Sequence, residues 1–317
     1  MLSGVGRRSP IDRNSAMAQL LWGVGGLLIS TGMWAWVLRR YDRFEPEPIK
    51  VLLRVGLLGG LMSVIPAIIG NSLAQHLLGL DGFVTDFSRE ITLPLALGSA
   101  VFIGINEEIW KFLATLRLVK KLPEFDQPID GMIYAMTVAL GFAAIENLEY
   151  MIRFGAGVLV ARSLLSMPTH LACAAIWGYG LARAKFISRH KKYFKTALPY
   201  LLAAAGVHAA FDFFLFLRTW TVLLVFPLLL FIVWYSNNKL HYLRDQSLSL
   251  DNAICQHCQQ SNTARAKFCI RCGLPLGEGG EFFQICGNCK SRVPHNANFC
   301  FKCGNKLAQI ESEGEHP

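Results

Sequence analysis

Long apolar runs separated by short charged segments occupy roughly the first 240 residues of the chain. Each of the seven runs has about the 20 residues that a helix needs to cross a bilayer. The pattern therefore predicts an all-α polytopic membrane protein with about seven transmembrane helices. The predicted spans are residues 17–38, 51–80, 91–118, 129–150, 158–182, 197–217 and 219–235.

The C-terminal part of the chain departs from this pattern, because it is polar and holds eight of the nine cysteines. We place the domain boundary in the polar segment 238–254. The predicted organisation is an N-terminal tail at 1–16, a membrane domain at 17–237, a linker at 238–254 and two small modules at 255–274 and 286–305.

The basic residues account for a net charge of +9, and most of them lie in short loops between apolar runs. Such loops set the orientation of a membrane protein. The loops 39–50, 117–128 and 183–197 and the start of the tail hold 15 Lys or Arg, against six on the other side. The richer side is predicted to be cytoplasmic, which places the cysteine-rich tail in the cytoplasm of a multi-pass cell-membrane protein. Arg7, Arg8 and Arg13 before the first span oppose this orientation, so the side of the N-terminus stays open.

No cleavable signal peptide is predicted. The first run is long for the apolar region of a signal peptide, and no small-residue cleavage site follows it.

Ionisable side chains interrupt four of the apolar runs, where each costs at least roughly 2.5 kcal/mol. Glu107 lies four residues before Lys111, and His208 lies four residues before Asp212, so each pair shares one helix face. Imidazole and carboxylate groups are zinc ligands, and a catalytic zinc takes about three of them together with water. The predicted metal ligands are His170, His208 and Asp212, and the predicted catalytic residues are Glu107, Glu108, Lys111 and Glu146.

The predicted roles follow from ordinary metalloprotease chemistry. A metal lowers the pKa of a water ligand towards neutrality, and Glu108 or Glu107 is predicted to take the proton. Lys111 is predicted to orient or neutralise the glutamate pair, and Glu146 is an alternative third ligand to Asp212. The predicted spans put Glu108 and Glu146 on the order of 15 Å apart in depth. Unless helix tilt or misplaced helix ends account for this difference, one of the two glutamates does not contact the metal or the reacting groups directly.

Structural roles remain open for these groups when each is taken singly. Glu107 with Lys111 is also what a neutralising pair between packed helices would show, and His208 with Asp212 is compatible with a structural hydrogen bond. Glu146 lies near one end of its predicted span, which is compatible with an interfacial position. Their joint occurrence on four spans favours a functional site.

The same residues carry a resemblance to a family. Glu-Glu-x-x-Lys at 107–111, Phe-x-x-x-Glu at 142–146, an isolated His170 and His-x-x-x-Asp at 208–212 occur in the order found in the PrsW-type intramembrane metalloproteases. This family is a distant branch of the group that contains the CAAX-prenyl proteases. The resemblance covers about residues 50–235 and implies proteolysis of membrane proteins. The prenyl-protease relatives have histidine where this chain has Glu146, which leaves the role of Glu146 open.

The cysteines of the tail form two similar sets whose offset is 31 residues. Each set pairs two Cys-x2-Cys motifs across ten residues, the spacing of a closed tetrahedral thiolate site. The sets predict two structural zinc ions in addition to the catalytic ion, and they resemble double zinc ribbons. The predicted ligands are Cys255, Cys258, Cys269 and Cys272 in the first ribbon and Cys286, Cys289, Cys300 and Cys303 in the second.

The function predicted from these features is that of a zinc-dependent intramembrane endopeptidase. Its expected partners are a membrane-protein substrate, the lipid bilayer and a cytoplasmic protein that docks on the ribbons. Nucleic acid is not expected, because the basic residues of the tail are scattered and no aromatic platform accompanies them. The alternatives are a non-catalytic membrane sensor or scaffold and an ion-relay transporter, although no inverted repeat supports the transporter.

Overall fold

The structure, a computed structural model, consists of a helical membrane domain and a small tail. It describes residues 13–42, 46–79, 91–187 and 192–250, together with short stretches between 252 and 307. The chain divides into two units, residues 1–244 and 245–317, and this division lies within segment 238–254. Cys272 and Cys300, and most of the predicted N-terminal tail, lie outside the described residues.

Eight α-helices make up the described part of the membrane domain. They are α1 (Arg13–Tyr41), α2 (Ile49–Leu77), α3 (Leu93–Val119), α4 (Asp130–Phe154), α5 (Val158–Ala161), α6 (Met167–Ala182), α7 (Tyr193–Phe216) and α8 (Val225–Leu250). A π-helical segment, Arg162–Ser166, joins α5 to α6, and a second one, Arg183–Ile187, follows α6. A 3-10 helix, Trp220–Leu224, precedes α8.

Six helical segments of the described chain are long and apolar enough to cross a membrane, and the continuous segment from α5 to Ile187 counts as one of them. The seventh long helix, α3, has 27 residues and carries Glu107, Glu108 and Lys111. The prediction of an integral membrane protein with about seven helices is therefore confirmed. Large apolar side chains such as Leu57, Ile69 and Leu230 are more than half exposed on the outside of the bundle, where lipid surrounds them.

The observed helices are close to the predicted spans, with one large difference at the C-terminal end. The sequence predicts the last span at 219–235, whereas α8 continues to Leu250 through polar residues. Leu240 and Leu243 explain the extension, because they are buried in a core that includes Leu38 and Tyr179. Two apolar residues at helical spacing therefore continue α8 beyond the apolar run.

Glycines allow the helices around the core to approach each other closely. A Cβ atom at Gly141 of α4 would overlap the carbonyl group of Gly56 on α2. A Cβ atom at Gly104 of α3 would lie 2.6 Å from the carbonyl oxygen of Ala205 on α7. Small residues at such positions are typical of membrane-helix contacts, and here they draw α3 and α4 into the same core.

The tail contains two short antiparallel hairpins. Strand β1 (Asn252–Ile254) pairs with β2 (Ser261–Thr263), and Ala253 lies opposite Asn262. Strand β3 (Phe283–Ile285) pairs with β4 (Arg292–Pro294), and Gln284 lies opposite Val293. Each hairpin belongs to one of the two cysteine sets, so the repeat in the sequence is also a repeat of structure.

A buried carboxyl group lies in the loop between α1 and α2. Glu47 is 6% exposed, and its Oε2 accepts a hydrogen bond of 2.6 Å from the hydroxyl of Tyr134. Its backbone amide donates to the carboxylate of Asp42 at 2.6 Å. Burial, followed by the negative charges of Asp42 and Asp126, raises the pKa of Glu47 to about 7, although the hydrogen bond from Tyr134 opposes the rise.

We expect the stability of the membrane domain to fall between pH 4.5 and pH 8. The folded protein holds the proton of Glu47 more tightly than the unfolded chain does, since the ordinary pKa is 4.5. The contribution is thus fully present below pH 4.5 and is lost as the pH rises through 7. Glu47→Gln should flatten this dependence by on the order of 2 kcal/mol. Thermal unfolding of parent and variant in detergent micelles at pH 5 and pH 8 measures the change in stability between the two pH values. An equal change in both proteins would contradict the assignment of this pH dependence to Glu47.

Candidate active site

Lys111 lies at the centre of a buried cluster of charged side chains. Its ammonium nitrogen is 2.8 Å from Oε1 of Glu108 and 3.4 Å from Oε2 of Glu107. It is also 2.9 Å from Nδ1 of His170 and 4.1 Å from the centre of the Phe142 ring. The side chain of Lys111 is inaccessible to solvent, so water does not screen its charge from these neighbours.

Glu108 joins α3 to α6 and α7. Its Oε1 lies 2.8 Å from Nδ1 of His208, and its Oε2 accepts a hydrogen bond of 2.9 Å from the indole of Trp177. A carboxylate can only accept, so His208 donates from Nδ1, and in the neutral ring Nε2 carries the lone pair. Both oxygens of Glu108 are therefore engaged by buried partners, and the effect is to hold the ring of His208 in one orientation.

His170 is held in a similar way by Glu146. Nε2 of His170 lies 2.9 Å from Oε2 of Glu146, and Nδ1 faces the ammonium group of Lys111. Lysine can only donate, so Nδ1 accepts and Nε2 carries the proton that is shared with Glu146. The rings of His170 and His208 meet edge to face, with centroids 5.1 Å apart.

The remaining groups converge on Nε2 of His208. This nitrogen lies 3.7 Å from Oε2 of Glu107 and 3.8 Å from Oδ2 of Asp212. The structure thus gathers all seven intramembrane residues that the sequence singles out into one cluster. Glu108 and Glu146, which the predicted spans place at different depths, both belong to it because Lys111 and His170 bridge the distance between α3 and α4.

Three of these residues are arranged so that they can hold a metal ion. One ligand atom each from Glu107, His170 and His208 lies within 4.8 Å of the other two, and all three residues are buried. Two imidazoles and a carboxylate are a donor set that catalytic zinc uses, so the residues fit the group. The sequence places Asp212 in this set, whereas the geometry groups Glu107 with the histidines and leaves Asp212 beside them.

Sequence reasoning missed a charged residue that belongs to the cluster. Arg162, in the first π-helical segment, places Nη2 2.7 Å from Oε2 of Glu146 and donates from Nε to Oδ1 of Asn147 at 2.6 Å. Its guanidinium lies over the ring of Tyr150, 3.8 Å from the centroid. The available signal was a charged residue inside the fifth apolar run, at 158–182.

A second missed group supports Glu107 from α2. Asn71 donates to Oε1 of Glu107 at 3.1 Å and accepts from the side chain of Asn106 at 2.8 Å. Asn106 also donates to the carbonyl oxygen of Ala67 at 2.9 Å and accepts from the indole of Trp110. This chain of hydrogen bonds fixes one oxygen of Glu107 and leaves the other directed towards His208.

A cavity of ≈ 590 Å³ extends from the cluster to one end of the bundle. The cluster residues that line it are Glu107, Glu146, His170, His208 and Asp212. Gln75, Arg153 and Arg218 line it where α2 and α4 end and just after α7. Neither Glu108 nor Lys111 is among the lining residues. A molecule in the cavity would therefore meet Glu107 and Asp212 but not Glu108.

The described cysteines of the tail lie close together within each set. The sulfur atoms of Cys255, Cys258 and Cys269 lie within 4.8 Å of one another. The same holds for Cys286, Cys289 and Cys303, which form the second set. Backbone amides, first that of Cys289, lower the pKa of the Cys286 thiol, which favours the thiolate that zinc requires. Both sets therefore suit metal binding.

Comparisons with known proteins agree with this division of the chain. The family model described as PrsW family intramembrane metalloprotease matches residues 47–236. The model of the double zinc ribbon matches residues 255–304. The first match covers α2 to the first half of α8, and it includes every residue of the buried cluster.

Several curated proteins are similar to the membrane domain. Protease PrsW of Geobacillus kaustophilus is 32% identical over 177 residues, which are 55% of this chain and 71% of that protein. Protease PrsW of Clostridioides difficile is 29% identical over 66% of this chain and 84% of its own length. Protease PrsW of Bacillus subtilis is 27% identical over 62% and 84%, respectively. No solved structure matches the chain significantly.

Proposed function

The chain belongs to the PrsW family of intramembrane metalloproteases. On that premise we propose that it hydrolyses peptide bonds of membrane proteins at the buried cluster that contains Glu107, His170 and His208. The observation that carries the proposal is the convergence of Glu107, His170 and His208 at the inner end of the cavity. A volume of ≈ 590 Å³ is in the usual range of ligand sites. A short unfolded stretch of a substrate next to its membrane segment is the class of ligand that we assign to it.

Glu107, His170 and His208 are the residues that would hold the metal. When bound there, a divalent ion supplies Lewis acidity, which polarises a carbonyl group and makes water more acidic. Glu108 orients the ring of His208 by accepting from Nδ1, which faces away from the cavity, and Glu146 orients the ring of His170 by accepting from Nε2. Carboxylate partners of this kind are typical of metal-binding histidines. Lys111 balances the negative charge of the buried carboxylates.

Asp212 is the group that we assign to proton transfer. It lines the cavity, and Oδ2 lies 3.8 Å from Nε2 of His208, the nitrogen on the ligand side. Its carboxylate takes a proton from the attacking water as oxygen bonds to the peptide carbonyl carbon. It then gives that proton to the leaving nitrogen as the C–N bond breaks, which yields one carboxyl and one amino terminus. Glu108 is less suited to this step, because both of its oxygens are engaged away from the cavity.

The zinc ribbons are proposed to lie in the cytoplasm and to dock a protein partner or part of the substrate. The excess of Lys and Arg in the loops on their side of the membrane supports the orientation. Their zinc sites, which we propose to number two, would have a structural role, since four-thiolate sites leave no open position for chemistry. Such modules fold around their metal and bury little apolar surface. This supports a role in recognition.

The proposed function is tested with the full chain in liposomes, together with a panel of single-span membrane proteins that carry a fluorophore at each end. We expect cleavage of at least one panel member, its loss with 1,10-phenanthroline and its return when zinc is added. The chelator also strips the ribbons, so the matched control is a Cys255→Ser, Cys286→Ser double variant. This variant loses whatever the ribbons contribute to docking, but the cleavage that remains should still be sensitive to the chelator. Cleavage that resists metal removal would contradict a metal-dependent reaction at the cluster.

A further inference from the structure

Arg162 and His170 meet at one oxygen atom. Oε2 of Glu146 lies 2.7 Å from Nη2 of Arg162 and 2.9 Å from Nε2 of His170. The carboxylate thus forms an ion pair with Arg162 and a hydrogen bond with His170, two residues of the same stretch of helix. Its position depends on both of them, so the arginine is coupled to the histidine through Glu146.

The π-helical segment explains why both side chains reach the same glutamate. Eight residues of regular α-helix would place Arg162 and His170 about 80° apart around the helix axis. A π-helical turn holds more residues than an α-helical turn, so the segment Arg162–Ser166 reduces this angle. Both side chains then face α4, which carries Glu146. Such segments often occur at functional sites.

The guanidinium of Arg162 is itself fixed on several sides. Nε donates to Asn147, and the plane of the group lies over Tyr150. The side chain is 12% exposed, and that of Glu146 is 15% exposed. A planar group that donates to an amide oxygen, pairs with a carboxylate and stacks on an aromatic ring is a geometry that arginine provides and lysine does not.

We propose that Arg162 is a positioning residue that holds Glu146 against Nε2 of His170 and so fixes the orientation and the tautomer of this imidazole, whose Nδ1 faces Lys111. This inference rests on the proposed function for its consequence in catalysis, but not for the geometry that it predicts. Without the arginine, Glu146 keeps only the histidine as a partner and turns towards the cavity that it lines. Lys111 is then the only remaining contact that favours the tautomer with a protonated Nε2, so the preference of His170 for this tautomer is weaker.

The test reads the tautomer of His170 directly. The full chain is labelled with ¹⁵N in its histidine rings, placed in lipid bilayers, treated with EDTA and examined by solid-state NMR. The signals of His170 are identified by their loss in His170→Asn. We expect the parent to show a protonated Nε2 and an unprotonated Nδ1, Arg162→Gln to show a mixture of tautomers, and Arg162→Lys to lie between them.

Arg183→Gln is the matched control. Arg183 also begins a π-helical segment, and it donates to the hydroxyl of Tyr200 at 2.7 Å. It does not line the cavity, so its loss should leave the His170 signals as they are in the parent. An effect that is common to both arginine variants would indicate general loosening of the helix and would overturn the proposal.

The same variants are compared for zinc affinity in a competition titration and for cleavage of the substrate panel. Loss of a residue that orients a metal ligand typically costs 10- to 100-fold, and we expect Arg162→Gln to lose about that much in both. An unchanged His170 tautomer in Arg162→Gln overturns the proposal whatever happens to activity. If the parent cleaves nothing while the tautomer responds to Arg162, the proposed function fails and the positioning role stands. If Arg162→Gln does not fold, the tautomer in Arg162→Lys decides.

Discussion

Glu107→Gln is expected to lower cleavage by about 10³-fold or more and to remove the metal from the membrane cluster. Several kcal/mol of transition-state stabilisation disappear with the metal, and this energy corresponds to that factor. Asn71 would still hold the amide in place, because it already donates to Oε1 of Glu107. The measurement combines the rate of cleavage by the full chain with zinc per chain from elemental analysis, relative to the parent.

Asp212→Asn separates the two roles of the carboxylates. It should also lower cleavage, by on the order of 10²- to 10⁴-fold as for the loss of a general base, but it should keep the same amount of zinc as the parent. Glu124→Gln is the control, since Glu124 lies in the loop before α4 and does not line the cavity. If Glu107→Gln retains the metal and Asp212→Asn loses it, the assignments of ligand and proton acceptor have to be exchanged.

Lys111→Met is expected to destabilise the membrane domain by about 3–5 kcal/mol, the usual cost of removing one partner of a buried ion pair. Methionine fills much of the same volume, but Glu107 and Glu108 would lose the cation that lies within 3.4 Å of both. Unfolding in mixed micelles gives the free energy of unfolding of parent and variant.

Two further variants make this prediction specific to charge. Lys120→Met, at the exposed residue that follows the same helix, should change the free energy by no more than about 0.5 kcal/mol. Lys111→Met combined with Glu108→Gln should recover part of the loss, because one uncompensated carboxylate is removed. Equal destabilisation by the single and the double variant would show that the packing of Lys111, and not its charge, matters for stability.

The sequence predicts the number of helices well because apolar length decides whether a segment can cross a bilayer. It predicts their ends less well, and α8 shows the reason. The polar residues after Tyr235 indicate a linker, but the burial of Leu240 and Leu243 depends on α1 and α6. Such tertiary contacts cannot be inferred from the hydropathy of the segment alone.

The candidate site shows the same limit at the level of single side chains. The sequence identifies Glu107, His170 and His208 because ionisable groups in a membrane helix are costly. The sequence does not identify which carboxylate orients which imidazole ring, since that depends on the angles between the helices. The contact of Glu108 with Trp177, and that of Arg162 with Glu146, join residues on different helices and have no signature in local spacing.

The first π-helical segment has a consequence for how related chains should be compared. It stores one more residue in a turn than the α-helices on either side of it. In a relative that is one residue shorter between positions 158 and 167, α6 would keep its place. The side chain at the position of Arg162 would then turn away from α4. A single-residue gap at this point of an alignment would thus mark a chain in which a different side chain, or none, has taken over the support of the glutamate.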